Sequence, residues 1–254
     1  TVLANSSDVG NGGSSTVGAY QINVGLDDYV SGSGWGASTW GDGTFGSVSA
    51  LSAANQLRLW THDNFGEDLV MNVRAGGIYY WDTSAKTLGT DRAVALSDLS
   101  GANVPPTLGL QAIVSDIDRH VLILGADPLN AAGTARTGAI DPMLVAWCDQ
   151  ENITEWQPKS INTAGSARLS AGSSIIGGIR ARQEILVWTD TSLYSMKFIG
   201  QPFIFSTNLV NEGVGLIGPK AMVNTPVGVF WMDKKGIYNY GGQVKPIPCD
   251  VHDY

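Results

Sequence analysis

Six acidic side chains in this 254-residue chain could serve the cleavage of a glycosidic bond. That reaction uses two carboxyl groups, one as the acid and the other as the nucleophile or base. Three candidates, Asp63, Glu67 and Asp68, lie close together in the sequence, and the other three are Asp149, Asp190 and Asp233. Hydrolytic activity would therefore depend on which two of these carboxylates the fold brings together, and on the environment of each.

The last three aspartates share one sequence position, which favours a structural role. Each comes two residues after a tryptophan, at the end of an apolar stretch. A catalytic pair needs different environments that separate its pKa values, whereas repetition gives similar ones. We predict that these three form turns, and that Asp63, Glu67 and Asp68 are the catalytic candidates if the protein is a hydrolase.

The pattern around these aspartates is a strand that ends in Trp-x-Asp, a tight turn and a second strand. Trp147, Trp188 and Trp231 are 41 and 43 residues apart. A repeat of this length, built only of hairpins, is typical of β-propeller blades. The paired segments are Leu144–Asp149 with Ile153–Trp156, Ile185–Asp190 with Leu193–Met196, and Val229–Asp233 with Ile237–Tyr240.

Other apolar segments extend this hairpin pattern along the chain. We predict strands at Leu57–Trp60, Leu69–Val73 and Ile78–Trp81, with a turn at Asp63–Gly66. Further hairpins pair Leu110–Val114 with His120–Leu124, Ile175–Ile179 with Ile185–Trp188, and Ala221–Val223 with Val227–Trp231. The nearest candidate for a helix, Leu88–Leu99, is short. We therefore predict an all-β, β-propeller-like fold of four to five blades, as a complete or incomplete ring.

The predicted propeller covers residues 51–254, and residues 1–50 form a Gly/Ser/Trp-rich arm and loop with one short strand. Trp35, Trp40 and Phe45 recur within the glycine- and serine-rich stretch 31–46. Large aromatic side chains need burial, so we predict that these three contact a neighbouring subunit. An ordinary packed loop within the domain is the alternative, and exposed tryptophans also suit stacking on sugar rings.

Two stretches match cofactor-binding or metal-binding motifs by letter, but the sequence around each does not fit such a site. Gly213–Gly218 matches the letters G-x-G-x-x-G, but Pro219 and an extended segment follow where a dinucleotide site needs a long helix. Asp116, Asp118 and His120 have the spacing of metal ligands. They lie in a predicted hairpin turn, however, where aspartates commonly accept hydrogen bonds from backbone N–H groups. We predict no cofactor and no metal, and a buried, inert thiol at Cys148.

The charge balance opposes tight binding to nucleic acid. The net charge is −8, from 15 Lys and Arg against 23 Asp and Glu, and the cations form no cluster. Binding to phosphates needs clustered cations that displace counterions, so DNA would pass an acidic surface without being held. No apolar run is long enough for a membrane span.

Several stretches resemble virion proteins of tailed bacteriophages. They are residues 56–69, 77–82, 162–170, 185–194 and 244–249, beginning with the run Gln-Leu-Arg-Leu-Trp-Thr-His-Asp-Asn-Phe. They are similar to the propeller-bearing tail hub or nozzle proteins of short-tailed phages, described as packaged-DNA stabilisation or tubular tail proteins. The resemblance covers about residues 20–254, and its motifs are structural rather than catalytic.

This resemblance implies a structural component of the phage tail that forms part of the DNA exit channel wall. Its partners would be other copies of itself and the neighbouring tail and portal proteins, and its location the virion. Such proteins are usually much longer, so we expect the chain to be a fragment. The alternative function is a carbohydrate-active propeller, either a glycan-binding module or a glycoside hydrolase.

Overall fold

The computed structural model describes residues 59–87, 91–115 and 117–248, together with two short strands near the start of the chain. These two, β1 (Val2–Ser6) and β2 (Thr16–Ala19), pair antiparallel. The chain divides into two compact units, Thr1–Leu59 and Trp60–Tyr254. The second unit carries all the other strands of the described residues.

Sixteen strands of the second unit form four antiparallel sheets of four strands each. Sheet 1 contains β3 (Trp60–Phe65), β4 (Asp68–Val73), β5 (Ile78–Trp81) and β6 (Val94–Ala95). Sheet 2 contains β7 (Gln111–Ser115), β8 (His120–Leu124), β9 (Leu144–Trp147) and β10 (Gly165–Arg168). Sheet 3 contains β11 (Ile175–Arg180), β12 (Ile185–Thr189), β13 (Ser192–Gly200) and β14 (Ile204–Glu212). Sheet 4 contains β15 (Met222–Thr225), β16 (Gly228–Asp233), β17 (Gly236–Tyr240) and β18 (Val244–Ile247).

Each sheet is a meander in which consecutive strands are neighbours. The first strands of the sheets also contact one another in chain order, β3 with β7, β7 with β11, and β11 with β15. Short hairpins and radial succession are how propeller blades are built. The prediction of an all-β, propeller-like fold is confirmed, since the described residues contain one short 3-10 helix, Leu96–Asp98, and no α-helix.

Burial follows the order of the sheets. All five residues of β8 are buried, and so are all five of β12. Along β3, by contrast, exposed and half-buried residues alternate. A strand covered on both faces is buried throughout, whereas a strand covered on one face alternates with period two. Among the four sheets of the described residues, sheets 2 and 3 are therefore the inner layers, and sheets 1 and 4 lie on either side of them.

Three apolar clusters fill the spaces between successive sheets. Val121 and Ile123 of β8 belong to the cluster between sheets 1 and 2, while Leu122 and Leu124 belong to the cluster between sheets 2 and 3. The third cluster, between sheets 3 and 4, includes Trp188 and Trp231, whose ring centroids lie 5.3 Å apart. Neither indole N–H has a hydrogen-bond partner, so these two rings stabilise the fold through apolar packing.

Two of the three Trp-x-Asp hairpins are confirmed, and the first is wrong. Trp188 and Trp231 lie in the second strands of their sheets, each followed by the expected partner strand. Trp147 lies in a third strand, and its next strand is Gly165–Arg168 instead of Ile153–Trp156. The regular spacing of the tryptophans is therefore not the period of the sheets.

The segment Ile153–Trp156 is a loop in which Ile153 and Trp156 are buried, and its backbone bonds to Asn103 and Asp149 instead of to a neighbouring strand. Trp156 is only 1% exposed and donates its indole N–H to the Ile153 carbonyl at 2.6 Å. The predicted turn at Asp63–Gly66 is also wrong, since β3 runs through Phe65. The remaining predicted hairpins of sheets 2, 3 and 4 are present.

Candidate functional site

The first candidate carboxylate, Asp63, connects three sheets. One oxygen accepts the backbone N–H of Val114 in β7 at 2.9 Å, and the other accepts Nη2 of Arg180 in β11 at 3.0 Å. The neighbouring Thr61 hydroxyl accepts the N–H of Ala112 at 3.4 Å. Because Asp63 is only partly exposed and already accepts three donors, including the Asn64 N–H at 3.0 Å, its geometry is that of a structural bridge.

Two amide side chains make similar bridges between the other first strands. Gln111 of β7 donates to the Gly178 carbonyl at 2.8 Å and accepts the Gly178 N–H at 2.9 Å. Asn224 of β15 donates to the Arg180 carbonyl at 2.8 Å. Polar side chains thus tie β3, β7, β11 and β15 together, where sheets laid side by side would otherwise leave backbone groups unpaired.

A groove of about 470 Å³ opens beside this polar line. Its polar wall includes Arg180, Arg182, Gln183 and Asn224, and its apolar wall includes Phe198 and Phe205. Glu184 lines it as well, but that carboxylate accepts the Ser195 hydroxyl and lies 3.5 Å from Nζ of Lys197. The groove combines hydrogen-bonding groups with aromatic edges, which are the groups that hold small polar ligands.

The other two catalytic candidates lie away from Asp63's contacts. Glu67 is exposed in the turn between β3 and β4. Asp68 accepts the Thr83 N–H at 2.9 Å, the Thr83 hydroxyl at 3.0 Å and the Tyr80 hydroxyl. None of the three candidates lines the groove. The structure therefore does not assemble them into a pair of carboxylates around one cavity.

Aspartates of this protein repeatedly bind both the N–H and the hydroxyl of one Ser or Thr, an arrangement we call an Asp–Ser/Thr clasp. In Asp149–Thr163 the two distances are 2.8 and 2.7 Å, and in Asp190–Ser173 they are also 2.8 and 2.7 Å. The other clasps are Asp68–Thr83, Asp82–Ser84 and Asp127–Thr107. At Asp149 and Asp190 the clasp holds the strand end to a distant loop.

The clasps at Asp149 and Asp190 favour the ionised form of these two aspartates. Burial by itself raises the pKa of Asp149, but hydrogen bonds from Thr163 and Gln150 and the nearby His120 outweigh it, so the pKa is lowered overall. The same balance of burial against the Ser173 and Ser174 hydrogen bonds lowers the pKa of Asp190. A general acid requires the opposite shift.

His120 lies at the contact between sheet 2 and the long β13–β14 hairpin. It is fully buried, its Nε2 lies 3.0 Å from the Thr163 hydroxyl, and its ring packs against Phe198 and Phe205. Its Nδ1 has no hydrogen-bond partner. Burial lowers the pKa of His120, and the Asp118 and Asp149 carboxylates oppose this only in part.

The remaining sequence predictions have separate outcomes. Cys148 is fully buried, its sulfur accepts the Val121 N–H at 3.1 Å, and burial raises its pKa to about 12, which fits the predicted inert thiol. Trp35, Trp40, Phe45 and Asp116 lie outside the described residues. Within the described residues, no group of three or more His, Cys, Asp or Glu side chains is placed to hold a metal ion.

Comparison with known proteins adds no relative. No family model matches the chain, and no curated protein matches it. Among the residues that the structure describes, no helix has the length and apolar character needed to cross a membrane. Sequence reasoning missed the Asp63–Arg180 bridge because its two residues are 117 positions apart. It missed the groove because its lining comes from several separate segments that carry no local signal.

Proposed function

We propose that this protein is a structural component of the tail of a short-tailed phage, in which its sheets form part of the DNA exit channel wall. The observation that carries this proposal is the use of Asp63, the first catalytic candidate, as a bridge between three sheets. The Asp–Ser/Thr clasps add to it, because they use aspartates to hold loops. The resemblance of residues 20–254 to tail hub and nozzle proteins supplies the viral setting.

The acidic charge supports the proposal that the sheets form part of the DNA exit channel wall. A wall of net charge −8 repels DNA and holds no phosphate, so that DNA can move along it. Other copies of this chain and neighbouring tail or portal proteins would be its partners, and the virion its location. Stacked sheets tied through their first strands would give such a wall stiffness.

Electron microscopy of phage particles tests this proposal. Antibodies against residues 59–248 should label the tail end of purified virions, and mass spectrometry should find the protein in tails that have been separated from capsids. Absence of the protein from purified particles, with the antibody active on the isolated chain, would contradict the structural role.

The groove supports carbohydrate binding as the second candidate function. Arg182 and Asn224 could donate to sugar hydroxyls, while Phe198, which is 38% exposed, presents aromatic surface. A glycan array with the wild-type chain and with Arg182→Ala tests this function, because Arg182 is exposed and its loss should leave the fold intact. Binding that Arg182→Ala abolishes, or polysaccharide turnover by the wild type, would favour the carbohydrate-active alternative over the structural proposal.

A further inference from the structure

The hairpin of β13 and β14 projects beyond the rest of sheet 3. The strand β12 pairs with β13 only as far as Met196, whereas β13 and β14 stay paired up to Gly200 and Ile204. Residues 197–203 therefore have no third strand beside them among the described residues. All of them are exposed except Gly200, which is half-buried. We call residues 198–203 the hairpin tip.

The hairpin tip is apolar and carries no charged side chain. Its sequence is Phe-Ile-Gly-Gln-Pro-Phe, in which Phe203 is 74% exposed, Ile199 54% and Phe198 38%. The turn between β11 and β12, at the same end of the sheet, contains the charged residues Arg182 and Glu184 instead. Because a group of exposed large apolar side chains marks an interaction site, the tip is a contact surface that the packing of the described residues leaves uncovered.

The backbone holds the outermost phenylalanine away from the core. Ile204 has a φ of 59°, a left-handed conformation that β-branched residues rarely adopt, and the Phe205 N–H donates to the Phe203 carbonyl at 2.7 Å across it. Ile204 and Phe205 are buried behind this bend, each 6% exposed. The Phe205 ring packs edge-on against His120 and Trp147. Strained backbone persists where the surrounding packing determines it, so the tip is a fixed feature of the fold that presents Phe203 to the outside.

Two cations lie directly behind the tip. Lys197 precedes it in β13 with its side chain 51% exposed, and Arg182 is exposed in the neighbouring turn, where it lines the same groove as Phe198. Of the described carboxylates that line this groove, Glu184 is bound by a serine hydroxyl and lies near Lys197, and Asp118 is buried. Proteins bind membrane interfaces with an apolar tip backed by cations, since apolar side chains enter the acyl boundary while cations remain at the phosphates.

A lipid surface suits this tip better than a protein pocket. Protein interfaces combine apolar contact with many hydrogen bonds, whereas the one hydrogen-bonding side chain of the tip is Gln201. We propose that the hairpin tip inserts into the headgroup region of a lipid bilayer, with Phe203 and Ile199 against the acyl chains and Lys197 at the lipid phosphates. Because the net charge of −8 opposes approach to an anionic membrane, the expected lipid is zwitterionic. This inference does not depend on the proposed function.

Flotation of the full chain with phosphatidylcholine vesicles tests the inserted tip. We expect the wild type to float with the vesicles. Ile199→Ser with Phe203→Ser should lower the vesicle partition coefficient about tenfold or more, since these two side chains supply most of the inserted apolar area. The matched control, Ile217→Ser with Val227→Ser, changes two residues that are 50% and 76% exposed outside the hairpin and should bind like the wild type.

A fluorophore at the tip provides a second measurement. Vesicles of phosphatidylcholine brominated on its acyl chains should quench more fluorescence in Phe203→Trp than in the wild type, because the added indole enters the bilayer. A wild type that stays unbound at all lipid concentrations would overturn the proposal and favour a protein pocket as the occupant. Equal binding by the tip variant, an equal loss in the control variant, or no additional quenching in Phe203→Trp would overturn it as well. These outcomes leave the location of the protein in virions as a separate question.

Discussion

Asp149 has a lowered pKa because it accepts several hydrogen bonds, and this gives a testable effect of its removal. We expect Asp149→Ala to lower the free energy of unfolding by about 1–2 kcal/mol at neutral pH, since the Thr163 N–H and hydroxyl lose their acceptor. Urea unfolding followed by tryptophan fluorescence measures this. Glu67→Ala, in an exposed turn, is the control and should have almost no effect.

The pH dependence of the same pair separates a clasp from simple packing. The folded-state pKa of Asp149 lies below its ordinary value of 3.8, so its stabilisation is complete above that value and is lost as pH falls through the folded pKa. The difference between wild type and Asp149→Ala should therefore shrink below about pH 4. A difference that stays constant down to pH 2 would show that the carboxylate charge contributes nothing.

A second pH effect is expected at His120, where burial disfavours the charged form of the side chain instead of favouring it. Its pKa is lowered from 6.5 by burial, so below pH 6.5 the unfolded chain binds a proton that the folded protein does not. Stability should fall as pH drops from 6.5 towards the folded pKa and should not depend on this residue above 6.5. His120→Gln should reduce that slope, measured by urea unfolding between pH 7 and 5.

At the scale of elements, the close contact between first strands depends on glycine. A Cβ added to Gly178 in β11 would lie 2.7 Å from Leu124 Cδ1, 2.9 Å from Ile113 Cδ1 and 3.1 Å from the Leu186 carbonyl oxygen. We expect Gly178→Ala to destabilise the protein by about 1–3 kcal/mol through overpacking between sheets 2 and 3. Thermal unfolding measures the change. At Gly218 a Cβ meets nothing within 4 Å, so Gly218→Ala should be close to neutral and provides the control.

The sequence predicted the elements that have strong local patterns. Strands such as Ile185–Thr189 are continuous apolar runs bounded by turn residues, and they formed as expected. The strand Gly165–Arg168 has no such pattern, and its position depends on pairing with β9. Ile153–Trp156 has an apolar pattern, but burial within a loop satisfies it. Local sequence could not distinguish these two cases, since both depend on tertiary contacts.

The candidate site was predicted only in part for the same reason. The sequence identified the candidate carboxylates. The structural role that it predicted for Asp149 and Asp190 agrees with their clasps. Which partners they bind was not predictable: Asp63 and Arg180 are far apart in sequence, and neither has a neighbour that indicates the other. Long-range hydrogen bonds are a property of the assembled sheets.

At the scale of the whole molecule, the charge predicts weak interaction with DNA. Fluorescence anisotropy of a labelled DNA duplex should show no saturable binding at physiological ionic strength, because net charge −8 opposes association and no cation cluster offsets it. Repeating the titration at low salt provides the control, since any residual attraction to phosphates would be strongest there. Saturable micromolar binding that weakens steeply with salt would contradict a non-adhesive wall.

The Asp63 bridge, which holds successive sheets together, is tested most directly by a double-mutant cycle with Arg180. The cycle compares Asp63→Ala, Arg180→Ala and both together by urea unfolding, with the exposed ion pair Arg119–Glu151, 3.3 Å apart, as the control pair. We expect a coupling free energy of about 1–2 kcal/mol for Asp63–Arg180 and about 0.5 kcal/mol or less for the control pair. Equal coupling for the two pairs, with little cost for Asp63→Ala alone, would contradict the bridge and return Asp63 to the candidates for catalysis.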